Sequence, residues 1–350
     1  MKNVSADALT RYVAAIMEGG GSNADEAHTI ARRLVDSNLV GHDSHGVLRV
    51  PKYLEWVRDG WLRPNQSPTI VFDSDALAIV DGNLGFGQVI GEHATRLGIA
   101  KAAATGIAMI GLRNCGHLGR LGDWADMAAE AGQVSLHFLN TSGAQRVAPF
   151  GGSDRRLSTN PMAVGVPRAG ADPVILDITT SSVAEGKLMV ALNKGEQVPP
   201  GWIVDRDGRP TTDPKDFYDG GALLTIGAHK GSGLSMITDL LAGAVTTGRS
   251  SDPADAVLRN NMLSIFIAPS VYDRDDHHVA REAARFVDYV LASPPAQPGQ
   301  PVQAPGDIER ATRLKRLAAG VPLDDKTLAD LAAAAQAVGV EATRAAAFLA

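Results

Sequence analysis

The amino-acid sequence predicts a mixed α/β fold with helical segments at both ends. From about Thr69 onward, apolar runs of strand length alternate with glycine loops and longer amphipathic stretches, whereas both ends of the chain repeat their apolar residues at helical spacing. Ser5 or Asp7 can cap a helix that places Leu9, Val13 and Ile16 on one face. Ser22-Asn23 can cap a second helix carrying Ala27, Ile30, Ala31 and Leu34, which ends at Gly41. Residues 69–72, 78–80, 107–112, 134–139, 162–166 and 174–178 read as strands, and residues 88–104 and 230–244 as helices. Residues 293–301, with four prolines, cannot continue a helix and are expected to cross the surface as an extended linker, with alanine-rich helices following to Ala350.

A chain of 350 residues, 45% of them hydrophobic, can bury a large core. Single cores rarely grow past roughly 250 to 300 residues, so two lobes are expected: a helical one from residues 1–70 and 275–350, and a sheet-containing one from residues 71–274. The net charge of −6 and the lack of a long Lys/Arg run argue against nucleic acid or an anionic membrane as the main partner. The N-terminal residues lack the apolar core of a leader, and no run of about 18 apolar residues occurs, so the cytoplasm is the expected compartment. The single cysteine, Cys115, can form neither an internal disulfide nor a cysteine-rich zinc site; its place beside His117 leaves a nucleophilic role to be weighed.

The segment Asn114-Cys115-Gly116-His117-Leu118-Gly119-Arg120-Leu121-Gly122 falls on a strand-to-helix turn, where open α/β proteins place chemistry. A helix starting near Arg120 would aim free N–H groups at the loop and favour an anion there, while His117 can trade a proton near neutral pH. A redox enzyme with a phosphate-bearing cofactor needs both; a simple glycine turn whose histidine caps backbone explains the segment equally. The usual dinucleotide signature is missing, because Gly85-x-Gly87-x-x-x-Gly91 departs from G-x-G-x-x-G. P-loop and nucleophile-elbow motifs are absent as well. His42-Asp43-Ser44-His45 and Asp276-His277-His278 lack the H-E-x-x-H spacing, and no metal site is expected.

Four further segments concentrate polar groups. Gly41-His42-Asp43-Ser44-His45-Gly46-Val47-Leu48-Arg49 offers an acid, a hydroxyl, imidazoles and a guanidinium, the last a planar fork suited to a carboxylate. Ser158-Thr159-Asn160-Pro161 lines a pocket or makes a turn, with Asn160 biased to extended backbone by the proline. Asp177-Ile178-Thr179-Thr180-Ser181-Ser182 ends an apolar strand, as a ligand contact or as a cap. His229-Lys230-Gly231 places a cation at a helix start, which suits a ribose or phosphate.

Together these segments resemble one family, the second type of malate/L-lactate dehydrogenase. The carriers are Asp43-Ser44-His45-Gly46 with Arg49 and Tyr53, Gly116-His117-Leu118-Gly119, Ala148-Pro149-Phe150-Gly151-Gly152, Thr159-Asn160-Pro161, Leu176-Asp177 with Thr180-Ser181, Pro199-Pro200-Gly201-Trp202, His229-Lys230-Gly231 and Pro305-Gly306-Asp307, spread over nearly the whole chain. Within the family, Gly41 to His45, Gly119 to Ala125, and Leu223-Leu224-Thr225 with His229-Lys230-Gly231 look most like the hydroxycarboxylate dehydrogenase branch.

The resemblance implies a mixed-sheet, non-Rossmann NAD(P)-binding fold, a homodimer, and a 2-oxo or 2-hydroxy acid substrate held near the subunit boundary by the helical lobe. It gives His117 the acid/base role, with Ser44 and His45 as companions holding substrate and nicotinamide. Arg49 and Thr159 would bind the substrate, Arg49 taking its carboxylate. His45, Gly119, Arg120, Leu121, Asp177, Ile178, Thr179, Thr180, Ser181, Lys230, Asn260, Pro305, Gly306 and Asp307 would contact NAD or NADP. Asp307 stands where the family often has Glu. Reduction of a cyclic imino acid or oxidation of ureidoglycolate is the alternative within the family. A binding protein that has lost catalysis and a metallohydrolase are the alternatives outside it.

Overall fold

The computed structural model describes residues 2–255, 257–273 and 277–341. At its centre is a seven-stranded sheet in the order β2-β3-β4-β11-β5-β6-β7. These strands are β2 (Thr69–Asp73), β3 (Leu77–Asp81), β4 (Ile107–Cys115), β5 (Val134–Ser142), β6 (Met162–Arg168), β7 (Ala171–Ile178) and β11 (Arg259–Ile267). Only β3 and β4 run parallel, joined through helix α4 (Gly87–Thr105); every other pairing is antiparallel. This mixed sheet with helices at both ends is the fold class the sequence predicts, and six of its strands overlap the predicted runs.

The seventh strand, β11, is central and was not anticipated from the sequence. Its run Arg259-Asn260-Asn261-Met262-Leu263-Ser264-Ile265-Phe266-Ile267 is buried on both faces, so it lacks the apolar/polar alternation that marks a half-exposed strand. On one face, α4 and α5 (Gly122–Glu130) cover Val80, Ile110, Leu112, Met262 and Phe266 with Ile90, Ala94 and Trp124. Gly98 of α4 permits that contact: a Cβ there would come within 2.1 Å of the Phe266 ring.

The other face is locked by a polar network. Helix α8 (His229–Asp239) passes into a π-helical segment at Leu240–Val245, where the sequence pattern suggested one uninterrupted α-helix over 230–244. Asp239, 5% exposed, accepts hydrogen bonds from Asn140 and Asn160 side chains at 3.0 and 3.1 Å and from the Ser251 amide and hydroxyl at 2.9 and 2.6 Å. A buried carboxylate is tolerable because all these donors meet it.

A second core joins α1 (Ala6–Gly19), α2 (Ala24–Leu39), α3 (Val50–Arg58) and α11 (Asp325–Ala337) through Leu9, Tyr12, Ile16, Ile30, Leu34, Tyr53, Trp56 and Leu331. The predicted caps hold: Ser5 accepts from Ala8 N–H, and Asn23 from Glu26 N–H. Strand β1 (Lys2–Val4) pairs with β12 (Val321–Leu323), closing the N-terminus against the C-terminal helices. A small sheet of β8 (Ile203–Val204), β9 (Pro210–Thr211) and β10 (Ala222–Leu223), whose strands are too short to leave a pattern, packs with α6 (Glu185–Lys194) and α7 (Pro214–Tyr218). Helix α9 (His278–Leu291) lies against β6, the exposed segment 293–301 is irregular as expected, and α10 (Asp307–Ala319) follows. Helix was expected to Ala350; α11 ends at Ala337, and residues 342–350 lie outside those described.

Because neither Phe266 nor the sheet backbone beneath it can yield easily, Gly98→Ala should destabilise the fold by about 1–3 kcal/mol. Equilibrium urea unfolding checks this as a lower midpoint at unchanged slope.

Candidate active site

His45, Arg49 and His117, singled out in the sequence, come together where the helical core meets the sheet. After α2 the chain makes two 3₁₀ turns, Asp43–His45 and Val47–Arg49, before entering α3. Asn38 fixes this turn: its Nδ2 donates to Asp43 Oδ1 at 2.6 Å and its Oδ1 accepts from Val47 N–H at 2.9 Å. A Cβ on Gly46 would meet Asn38 Oδ1 at 2.2 Å, so glycine is needed at this approach. Arg316 of α10 completes the clamp with a two-pronged ion pair to Asp43 at 2.6 and 3.0 Å.

From this turn His45, Arg49 and Tyr53 reach the loop after β4. The His45 and His117 rings stack with centroids 5.3 Å apart and planes 6° from parallel. Tyr53 Oη lies 2.7 Å from His117 Nδ1 and accepts from Gln88 Nε2 at 2.8 Å. Arg49 donates Nε–H to the Ser44 carbonyl at 2.6 Å, and its terminal nitrogens have no partner among the described residues.

The His117 loop is pinned from two sides. Leu118 N–H donates to Asn260 Oδ1 at 2.8 Å, and Asn260 Nδ2 donates to Thr141 Oγ1 at 2.8 Å. The start of α4 abuts it so closely that a Cβ on Gly87 would lie 2.1 Å from the His117 carbonyl oxygen. The glycine loop that misses the dinucleotide signature thus serves backbone contact with the histidine loop.

Burial and positive neighbours set the charge state. His117 is held well below the usual imidazole range by burial and by the charges of Arg49 and His45. Burial, with Arg49, His42 and Arg120, lowers His45 to about 3. Burial pushes the Tyr53 phenol up to about 12 and the Cys115 thiol higher than its ordinary value, so Cys115 is a poor nucleophile. Both imidazoles are therefore neutral at pH 7 before an anion arrives.

Several predicted contacts are placed differently from the sequence expectation. Helix α5 begins at Gly122, and the anion at its N-terminus is the chain's own Asp177, whose Oδ2 accepts from Gly122 N–H at 2.8 Å. Arg120, 4% exposed, turns its Nη1 to Asp123 and Asp126 at 2.8 and 2.9 Å. Gly119, Arg120 and Leu121 thus line the loop mainly through their backbone. Asn160 is not extended before Pro161: it has φ +35°, held by donation to Ser235 and Asp239.

At the end of β7 every hydroxyl donates within the chain. Thr179 and Thr180 both donate to the Thr159 carbonyl, at 2.8 and 2.9 Å, Ser181 to Val183 O and Ser182 to Trp202 O. Toward a ligand these oxygens can only accept. Lys230, exposed at the start of α8, has no partner among the described residues. Pro305 and Gly306 precede α10 beside β7, with Ile175 N–H on the Pro305 carbonyl at 3.2 Å; Asp307 is engaged by Arg310 and Ala304 N–H at 2.7 Å each. Among the described residues no cluster of His, Cys, Asp or Glu is arranged to hold a metal ion, and Asp276 lies outside them. No described helix is long and apolar enough to cross a membrane.

In the sequence Gln88 reads only as a helix start, and Tyr53 is marked only by the family resemblance. The available signal for Gln88 was a polar residue following a glycine loop in an apolar setting.

Comparison with known proteins places the chain in a family. A family model described as malate/L-lactate dehydrogenase matches residues 4–332. Hydroxycarboxylate dehydrogenase B of Escherichia coli O157:H7 is 39% identical over 96% of this chain and 94% of its own length. A solved malate/lactate dehydrogenase structure from E. coli superposes with a TM-score of 0.95 at 36% identity, covering 99% of this chain and 98% of its own. The structure of delta1-piperideine-2-carboxylate reductase from Pseudomonas syringae pvar. tomato gives a TM-score of 0.84 at 32% identity over 95% and 99% of the two chains. The chain belongs to the malate/L-lactate dehydrogenase family and is an oxidoreductase.

Proposed function

We propose that this protein interconverts 2-hydroxy and 2-oxo acids with NAD or NADP, His117 acting as general acid and base and Arg49 binding the substrate carboxylate. The observation that carries the reading is the convergence of a guanidinium whose terminal nitrogens have no partner among the described residues, a half-buried imidazole with one nitrogen fixed by Tyr53, and a second imidazole stacked on the first. A nicotinamide cofactor supplies the hydride acceptor or donor. The residues present fit one: among the described residues His45 Nδ1 is buried without a partner and Lys230 is an exposed cation with none, and the strand-end hydroxyls at Thr179 to Ser181 offer acceptors suited to ribose hydroxyls. Backbone of Gly119 to Leu121 and of Pro305 to Asp307, with Ile178 and Asn260, would border it.

In oxidation His117 accepts the hydroxyl proton at Nε2; in reduction it returns that proton to the developing alkoxide. A carboxylate seated on Arg49 cancels one of the charges that lowers His117, so substrate binding itself makes the imidazole easier to protonate. Ser44 and Thr159, near the same turn and strand end, would complete the substrate site.

The likeness to the piperideine carboxylate reductase favours imine reduction as the second reading, since Arg49 would hold either carboxylate equally. A homodimer fits the exposed apolar strand β2, with Ile70, Val71 and Phe72 at 43%, 47% and 50% exposure, and the exposed Met236, Ile237 and Leu240. Light scattering should then give twice the chain mass of 36.6 kDa.

Absorbance of NADH, then NADPH, followed with pyruvate, oxaloacetate, 2-oxoglutarate, hydroxypyruvate and phenylpyruvate should show consumption with at least one acid. Consumption only with cyclic imino acids would shift the reading to imine reduction. His117→Ala should lower kcat by about 10²- to 10⁴-fold. Arg49→Lys, which replaces a fork by a point charge, should raise KM by roughly tenfold or more.

The pH dependence has a definite sign. Reduction needs the protonated ring, so kcat/KM should fall about tenfold per pH unit above the free-enzyme midpoint. That midpoint lies well below the ordinary 6.5, so the decline should span neutral pH, whereas oxidative kcat/KM should be level there.

A further inference from the structure

Behind His117 the hydrogen-bond chain ends in an unused acceptor. Gln88, 1% exposed near the start of α4, donates Nε2 to Tyr53 Oη, but its Oε1 is buried and has no hydrogen-bond partner among the described residues. A primary amide carries donor and acceptor at the two ends of one plane, and half a turn about its last bond exchanges them at nearly equal volume. An orphaned buried acceptor costs about 1–3 kcal/mol, which makes its orientation consequential.

Tyr53 has one hydroxyl proton to place. When Gln88 donates to Tyr53, that proton goes to His117 Nδ1, and the neutral ring carries its own proton on Nε2. In this state Nε2 has no lone pair for a substrate hydroxyl. When the amide is turned, Gln88 Oε1 accepts from Tyr53, Tyr53 Oη accepts from His117 Nδ1–H, and the Nε2 lone pair is free.

We propose that Gln88 is a positioning residue that selects the tautomer of His117 through Tyr53, the turned amide being the state in which His117 takes the proton of a 2-hydroxy acid. The proposal rests on the acid/base reading of His117 given above. In that state the substrate O–H bond breaks and an N–H bond forms at Nε2. The ring becomes imidazolium with Nδ1–H still on Tyr53, and Tyr53 keeps its own proton throughout, consistent with a phenol raised to about 12. The charged and titratable groups bearing on this chain are Arg49 and His45 from the turn and Cys115 from β4; none of them accepts a proton from Tyr53, so Gln88 Oε1 is the available acceptor.

Two full-length variants test this by 15N NMR of labelled histidine and by steady-state oxidation with cofactor present. In Gln88→Met the Tyr53 proton has only His117 Nδ1 to go to. The Nε2–H tautomer should dominate, and oxidative kcat should fall on the order of 10- to 100-fold, less than the roughly 10⁴-fold that a wrong tautomer costs a catalytic triad, with KM changed by no more than about twofold. In Gln88→Glu the carboxylate can only accept, so kcat should recover relative to Gln88→Met and the pH midpoint of oxidative kcat should move upward. A dominant Nδ1–H tautomer or wild-type kcat in Gln88→Met, or equal impairment of both variants, would overturn the proposal. An active His117→Ala would remove the acid/base reading and this proposal together; an inactive one, with wild-type oxidative kcat in Gln88→Met, would overturn the proposal alone.

Discussion

The hydrogen bond between Tyr53 and His117 joins two separately packed cores, and the constellation depends on its being made. Tyr53 belongs to the helical core and His117 to a loop leaving the central sheet. Neither core alone assembles an imidazole, a guanidinium and a second imidazole within reach of one small acid. The supports on each side are correspondingly stiff: Asn38 and Arg316 hold the turn that presents His45 and Arg49, while Asn260 and the Gly87 contact hold the histidine loop. Such support keeps reacting groups within the fraction of an ångström that catalysis by positioning demands.

The electrostatics follow from the same meeting of cores. Two half-buried imidazoles lie beside a guanidinium whose terminal nitrogens are unengaged among the described residues, an arrangement that repels added positive charge and is completed by an anion. A 2-oxo or 2-hydroxy carboxylate supplies that charge and, in the proposed mechanism, adjusts the proton affinity of the residue that must act on its neighbouring oxygen. Elsewhere the chain neutralises itself: Asp177 occupies the α5 N-terminus, and Arg120 is held by Asp123 and Asp126. The anion site predicted for that helix start is thus filled from within.

What could be read from the sequence depended on how many faces an element buries. Helices α1 and α2, with one apolar face and a capping Ser5 or Asn23, announce themselves, and so do six strands of the main sheet. Strand β11, packed on both faces, shows no alternation and carries Asn260, Asn261 and Ser264, residues typical of loops. Their polarity is explained only by the network they enter in three dimensions. The same holds at the site. His45, Arg49 and His117 stand out as chemistry-bearing residues, but the tie between Tyr53, Gln88 and His117 spans 64 residues or fewer of chain without any local periodicity to mark it. The hydroxyls of Thr179 to Ser182 look ligand-ready in sequence, whereas their protons are spent on main-chain carbonyls.

The central claim, that Arg49 and His117 meet one small 2-oxo acid, is tested most directly by a crystal structure of the protein with reduced nicotinamide cofactor and oxamate, an unreactive 2-oxo acid isostere. The oxamate carboxylate should lie on the Arg49 guanidinium, with its neighbouring oxygen within hydrogen-bond distance of His117 Nε2. Oxamate bound with its carboxylate away from Arg49, or with His117 Nε2 turned from it, would rule out these roles.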